Sequence, residues 1–212
     1  MIQSALLLKL GIVHGYASRH TKLHTEIAIS QQVHGTRIAF VTKKDQGKTI
    51  PGVDGLVSKD ISIGVSFADC VPILAVDPKA KIIGTAHAGW KGTLGGIAGE
   101  LITAMKKNGA DVKQIYISVG PHIGMCCYNV PDERARFFQK KFGTDEKIAV
   151  RIGDVWHIDI GYVNYLQLLE AGIVKENIDT PPSCTSCQVA EFHSFRKDPK
   201  EKFGVQMGVI TL

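Results

Sequence analysis

The chain has 212 residues, 44% hydrophobic and 21% charged, the balance of a globular protein able to bury a substantial core without disulfide or metal support. Its net charge of +5 comes with no long basic run and no interleaved aromatic and basic stripe, which argues against a nucleic-acid groove and suits a small anionic ligand. Five cysteines, an odd count, argue against a fully paired secreted framework, and no apolar run approaches the roughly 18 residues of a membrane span. The apolar stretch Ala5 to Val13 is interrupted by Lys9 and has no basic residue ahead of it, unlike a signal segment. A cytoplasmic protein with one domain over 1–212 is expected, binding neither nucleic acid nor membrane.

Taken in order, Leu6 to Val13 reads as a strand running into a loop at His14–Arg19, where Arg19 could clamp phosphate or carboxylate or be an ordinary surface arginine. Thr25 to Ser30 and Arg37 to Thr42 read as short strands around Gln31-Gln32-Val33-His34-Gly35. Lys43 to Gly52 is loop-like. Val53 to Ser58, Ile61 to Phe67, Pro72 to Val76 and Lys81 to Ala86 are closely spaced, β-branched runs broken by Asp and Gly, hence strands.

Thr93 can cap a helix to about Asn108, because Leu94, Ile97, Leu101 and Met105 recur three and four apart and Gly109 follows. Gln114 to Val119 is a strand entering Gly120-Pro121. A second helix spans Pro131 to Phe142, with Arg134, Arg136, Lys140 and Lys141 assigned to its wet side. Trp156 to Ile158 is a strand, Asp159 caps a third helix ending near Gly172, and a loop follows with Pro181-Pro182 and Cys184-x-x-Cys187. The run from Gly204 to Leu212 closes a sheet. Irregular alternation of strands and helices predicts a mixed α/β, or α+β, fold.

The chemistry-bearing residues lie at the ends of apolar runs. His34, Cys70 and His87 supply two imidazoles and one thiolate, a set suited to zinc with one position left open. They come from three separate segments and match no compact local metal motif, so from the residues alone ordinary packing is the stronger reading. Cys184 and Cys187 have chelating spacing, yet Cys126-Cys127 is expected to be a poor second half, since adjacent residues chelate awkwardly; a redox pair is the alternative, but no thioredoxin-like βαβ setting surrounds it, and the pair is read as mostly structural. Gly89, Gly92, Gly95 and Gly96 around Lys91 could cradle an anion at a helix entry or mark tight packing.

Gln32-Val33-His34-Gly35, Asp54-Gly55-Leu56-Val57, Ala68-Asp69-Cys70-Val71-Pro72, His87-Ala88-Gly89-Trp90-Lys91-Gly92-Thr93, Gly120-Pro121-His122-Ile123-Gly124 and Phe192-His193-Ser194-Phe195-Arg196-Lys197-Asp198 together resemble the YfiH family. This family is also called the laccase-domain or polyphenol oxidase family. The resemblance covers nearly the whole chain. It implies a layered sandwich of mixed β-sheets flanked by helices, and zinc on His34, Cys70 and His87, with copper as the alternative. It also implies phosphorolysis of purine nucleosides (adenosine, inosine, guanosine, methylthioadenosine) and deamination of adenosine. Within that frame Cys70, His87 and Asp69 are the catalytic candidates, Asp69 as proton carrier or orienter. Arg19, Lys91 and Arg196 are the candidates for substrate and phosphate. Lys91 stands where the family usually has arginine, which keeps the charge and loses the bidentate fork. A copper polyphenol oxidase, a Cys70–His87 hydrolase and a zinc-binding interaction module are the competing readings.

Overall fold

The computed structural model describes residues 1–21, 26–180 and 183–212. The start of the strand expected from Thr25 and the Pro181-Pro182 loop lie outside the described residues.

At the centre is a six-stranded sheet whose strands are ordered Ile178–Asp179, Tyr116–Val119, Val71–Asp77, Ile82–Ala88, Gly55–Ser58 and Ile38–Val41. Its two outermost pairings are parallel and the three inner ones antiparallel. Val71–Asp77 and Ile82–Ala88 are buried at every position, which is why they read as continuous apolar runs: both faces of the sheet are covered. Strand alternation divides the load. Val71, Ile73 and Ala75 face one core, with Leu101 and Met105 of the helix Ile97–Lys107 and Val163 and Leu168 of the helix Ile160–Glu170. Leu74 and Val76 face the other core, with Ile63, Val65, Phe67 and Ile210 of a second sheet. That sheet has five strands, ordered Val13–Tyr16, Gln206–Thr211, Ile63–Phe67, Ala28–Ser30 and Thr49–Ile50. A small antiparallel sheet of Asn129–Val130, Val155–Ile158 and Ala149–Ile152 sits beside the helix Asp132–Phe142. The layered arrangement of mixed sheets and helices agrees with the expectation.

Three local readings are corrected. The opening run is not a strand: Ser4 caps a helix at Ala5–Lys9 by accepting from the Leu7 amide, Gly11 turns the chain at φ 71°, and the strand begins at Val13. The helix expected from Thr93 is two helices. Trp90–Gly95 starts at Gly89, and Gly96, left-handed at φ 95°, ends it before Ile97–Lys107 begins. Thr93 is buried inside the first, its hydroxyl accepting from Asn164 Nδ2 at 2.8 Å. Finally, Ala149–Ile152 and Asn129–Val130 pair with Val155–Ile158; only the last of these is expected as a strand from the sequence.

Topology brings the ends of several strands to one edge. Val71 pairs with Ala88 and Pro72 with His87, so Cys70, one residue ahead of its strand, emerges beside His87. Gly55 pairs with Ala86, and the His87 amide donates to the Asp54 carbonyl at 2.8 Å, which places Asp54 at the same edge.

Candidate active site

The side chains of His34, Cys70 and His87 converge so that one potential ligand atom from each lies within 4.8 Å of the others. The two imidazoles meet edge to face, with centroids 4.9 Å apart and planes at 79°. His34 sits in a loop at φ 59°, and its neighbour Gln32 is also left-handed at φ 64°, a conformation rare outside glycine that needs support from its surroundings. Asp54 supplies that support. Its fully buried carboxylate accepts the Val33, His34 and Gly35 amides at 3.2, 2.8 and 2.7 Å. The same carboxylate lies 3.1 Å from His87 Nδ1, an arrangement that leaves Nε2 as the histidine's ligand atom and fixes the ring plane.

The electrostatics follow from this packing. Burial alone would raise the Asp54 carboxyl, but hydrogen bonds from His87, Gly35 and His34 outweigh it and hold the group below its usual value. Burial works against a charged His87 as well, yet Asp54 and Cys70 as partners push it up to about 9. For Cys70, burial opposes the thiolate while hydrogen bonds from His34 and His87 favour it, bringing the thiol down to about 7. A thiol so placed is a thiolate donor close to neutral pH.

The donor set fits a zinc-type ion: two imidazoles and a thiolate, with a carboxylate orienting one ring and one side open to a cavity. Gly89 is part of the fit. A Cβ there would stand 3.0 Å from His34 Cδ2 and 3.1 Å from Cys70 Sγ, so any side chain would crowd the ligand cluster. The neighbouring glycines pack instead of cradling an anion. A Cβ at Gly92 would meet the Gly35 carbonyl at 2.9 Å, and one at Gly95 would meet Thr36 Cγ2 at 2.6 Å.

The cluster forms one wall of a cavity of about 510 Å³, within the range of small-molecule sites. Trp90, Tyr128 and Phe195 supply aromatic walls, and Arg134 and Arg196 supply positive charge. Arg134 lies over the Trp90 ring at 4.2 Å and Arg196 over Tyr128 at 5.3 Å. Arg196 also donates to the Asn129 carbonyl at 3.1 Å and to the Asn129 side chain. Arg134 lines the cavity, and its Nε is buried without a hydrogen-bond partner among the described residues.

The other candidates from the sequence are placed differently. Asp69 reaches the cavity wall, but its carboxylate accepts Thr185 Oγ1 at 2.6 Å, Ser194 Oγ at 3.0 Å and the Arg196 amide at 2.7 Å. Itself left-handed at φ 80°, it is positioned to organise the 185–196 segment. Arg19 is not a cavity residue; its guanidinium holds Asp198 at 2.8 Å and the Phe192 carbonyl at 2.8 Å. Nor does Lys91 line the cavity, its ammonium lying 5.6 Å from the Trp90 ring centroid. The sequence does not single out Asp54 or Arg134. Asp54 is visible there only inside a motif, and Arg134 falls on the predicted wet face of its helix, because helical spacing says nothing of the Trp90 ring it packs against.

Residues 15–212 match the family described as multi-copper polyphenol oxidoreductase laccase. The chain is 38% identical over 180 residues to a protein of Geobacillus stearothermophilus named purine nucleoside phosphorylase YlmD, an alignment covering 79% of this chain and 66% of that one. It is 35% identical over 184 residues to adenosine deaminase RL5 of an unknown prokaryotic organism, covering 81% and 70%. The crystal structure of YlmD from Geobacillus stearothermophilus superposes with a TM-score of 0.85 at 31% identity, covering 94% of this chain and 91% of that one. The chain therefore spans just under two thirds of the length of the Geobacillus relative as aligned in sequence.

Proposed function

The chain belongs to the multi-copper polyphenol oxidoreductase laccase family, and on that premise we propose that it is a zinc-dependent purine nucleoside phosphorylase with adenosine deaminase activity. The observation that carries this reading is the convergence of His34, Cys70 and His87 on one wall of a cavity that also offers aromatic faces and two arginines. Relatives named for both activities support it.

A zinc ion held by His34, Cys70 and His87 would supply Lewis-acid activation of water near neutral pH. The protein's own groups do the rest. Asp54 fixes the His87 tautomer and, through three amides, the His34 loop. Tyr128, Trp90 and Phe195 offer ring faces against which a purine can stack. In phosphorolysis a phosphate oxygen bonds to the anomeric carbon as the C–N glycosidic bond breaks and the purine nitrogen takes up a proton. Arg134 and Arg196 are the groups placed to hold that phosphate. In deamination water oxygen adds at C6 and ammonia leaves. Asp69, with its acceptor capacity already engaged, acts as a positioning residue for the Arg196 segment.

A donor set of two histidines and one cysteine suits copper as well as zinc, so the choice of zinc rests on the number of imidazole clusters. Among the described residues only two groups of three or more ligating side chains occur, and His34 and His87 are the only histidines in them, whereas multi-copper oxidation needs several dense imidazole sites. The test is nucleoside turnover, with and without phosphate, by metal-replete wild-type and Cys70→Ala proteins. Phosphate-dependent release of free base, lost in the variant, supports the proposal. Equal turnover by both proteins overturns it.

A further inference from the structure

Outside that cavity, a second cluster gathers four of the five cysteines. Adjacency in sequence argues against Cys126-Cys127 as a partner for Cys184-x-x-Cys187, but the fold brings all four sulfurs within 4.8 Å of one another. The Gly124 carbonyl accepts the Cys127 and Tyr128 amides at 3.0 Å each, and the resulting turn places adjacent sulfurs on one side, 3.9 Å apart. Cys187 Sγ lies 3.6 Å from Cys126 Sγ and 3.4 Å from Cys127 Sγ. In a tetrahedron with metal–sulfur bonds of about 2.3 Å, the sulfur–sulfur edge is about 3.8 Å. The three separations of 3.4–3.9 Å lie near that edge and far from the bond of about 2.0 Å in a disulfide, and Cys184 Sγ lies within 4.8 Å of the other three.

Two further features fit bound thiolates. The Gly124 amide donates to Cys184 Sγ at 3.2 Å, the kind of N–H to sulfur contact that orients and stabilises a ligating thiolate. Four like-charged thiolates this close would repel one another, and a divalent cation is the group that offsets the repulsion. Soft sulfur donors in tetrahedral array select zinc-type ions.

We propose that Cys126, Cys127, Cys184 and Cys187 form a second, structural zinc site, independent of the His34–Cys70–His87 cluster. It clips two segments far apart in sequence. The Cys184 segment already bridges to His122, and the Thr185 amide donates to the His122 carbonyl at 3.0 Å. The next link is Thr185 Oγ1 to Asp69 at 2.6 Å, so the segment that carries Cys184 is hydrogen-bonded to the residue immediately before Cys70.

The test uses full-length protein with the His/Cys/His cluster disabled. The His34→Ala/Cys70→Ala variant, purified with reductant and zinc, is expected to retain one equivalent of zinc, and wild type two. Reconstituted with Co(II), the same variant should show the sulfur-to-cobalt charge-transfer and intense ligand-field bands of a tetrahedral tetrathiolate, since its four remaining cysteines are those of the cluster. Adding Cys187→Ser should abolish the bands and lower retained zinc to none. A folded variant that binds neither zinc nor cobalt, or spectra lacking thiolate charge transfer, would overturn the proposal. So would disulfides among these cysteines in metal-loaded, reduced protein. These readouts do not depend on nucleoside turnover, so failure of the proposed activity and failure of this site are distinguishable.

Discussion

His87 Nδ1 and the Asp54 carboxylate are 3.1 Å apart, and the same carboxylate oxygen accepts the His34 amide at 2.8 Å. One buried acid thus orients both imidazoles of the candidate metal centre, one through its ring and the other through its backbone.

Replacing Asp54 by Asn keeps the size but removes the charge and forces the amide's NH₂ toward one of the N–H donors. Metal affinity is expected to fall about 10- to 100-fold, read by competition with a chromophoric chelator. Asp54→Ala should also cost about 3 kcal/mol of stability, because His87 and three amides lose their acceptor in a buried setting. A shift in denaturation midpoint at unchanged slope measures this.

Arg134 is expected to matter for phosphate where Arg19 does not. Arg134 lines the cavity and its Nε has no hydrogen-bond partner among the described residues, whereas Arg19 is committed to Asp198 and Phe192. Losing a charge-assisted contact worth about 1.5–3 kcal/mol should raise KM for phosphate roughly tenfold to a hundredfold in Arg134→Gln. In Arg19→Gln the KM should be unchanged and the melting temperature lower.

Asp198 sets an acid-side dependence of stability. Burial would raise its carboxyl, but Arg19, the Ser194 amide and His193 outweigh that and hold it below the ordinary value. A carboxyl depressed in the folded state contributes stability above the unfolded value near pH 4, and the contribution is lost as pH falls through the folded value. Melting temperatures of wild type and Asp198→Asn should therefore differ most near neutral pH and converge as pH falls through the folded value of Asp198.

Gly96→Ala places a side chain at φ 95° with no atom within 4 Å of the new Cβ. The cost is thus one of backbone conformation, about 1–2 kcal/mol, without a clash. Gly89→Ala should behave differently, with a modest effect on stability but weaker metal retention, since its Cβ would press on His34 and Cys70.

Local patterning carried much of the fold. The all-apolar runs of the central strands encode burial on both faces, and the spacing of Ile97, Leu101 and Met105 encodes the helix side packed on the sheet. Asp159 was readable as a cap because its acceptor needs only the Tyr162 amide, 2.8 Å away in its own turn. The opening helix was misread because its run from Ala5 to Lys9 is too short for a period to show.

The identities of His34, Cys70 and His87, and the motifs around them, came from the sequence alone, since reactive residue types at the ends of apolar runs are a local signal. Their meeting at one edge, and Asp54 behind them, depended on strand order and register, which pair Pro72 with His87 and Gly55 with Ala86. The same holds for Arg134 at the cavity, for Asp69 tied to Thr185 and Ser194, and for four cysteines some 60 residues apart in two pairs. The physical reason is that periodicity records which face of an element is buried, while long-range contacts depend on how the sheets stack and where loops return, and no local window contains that information.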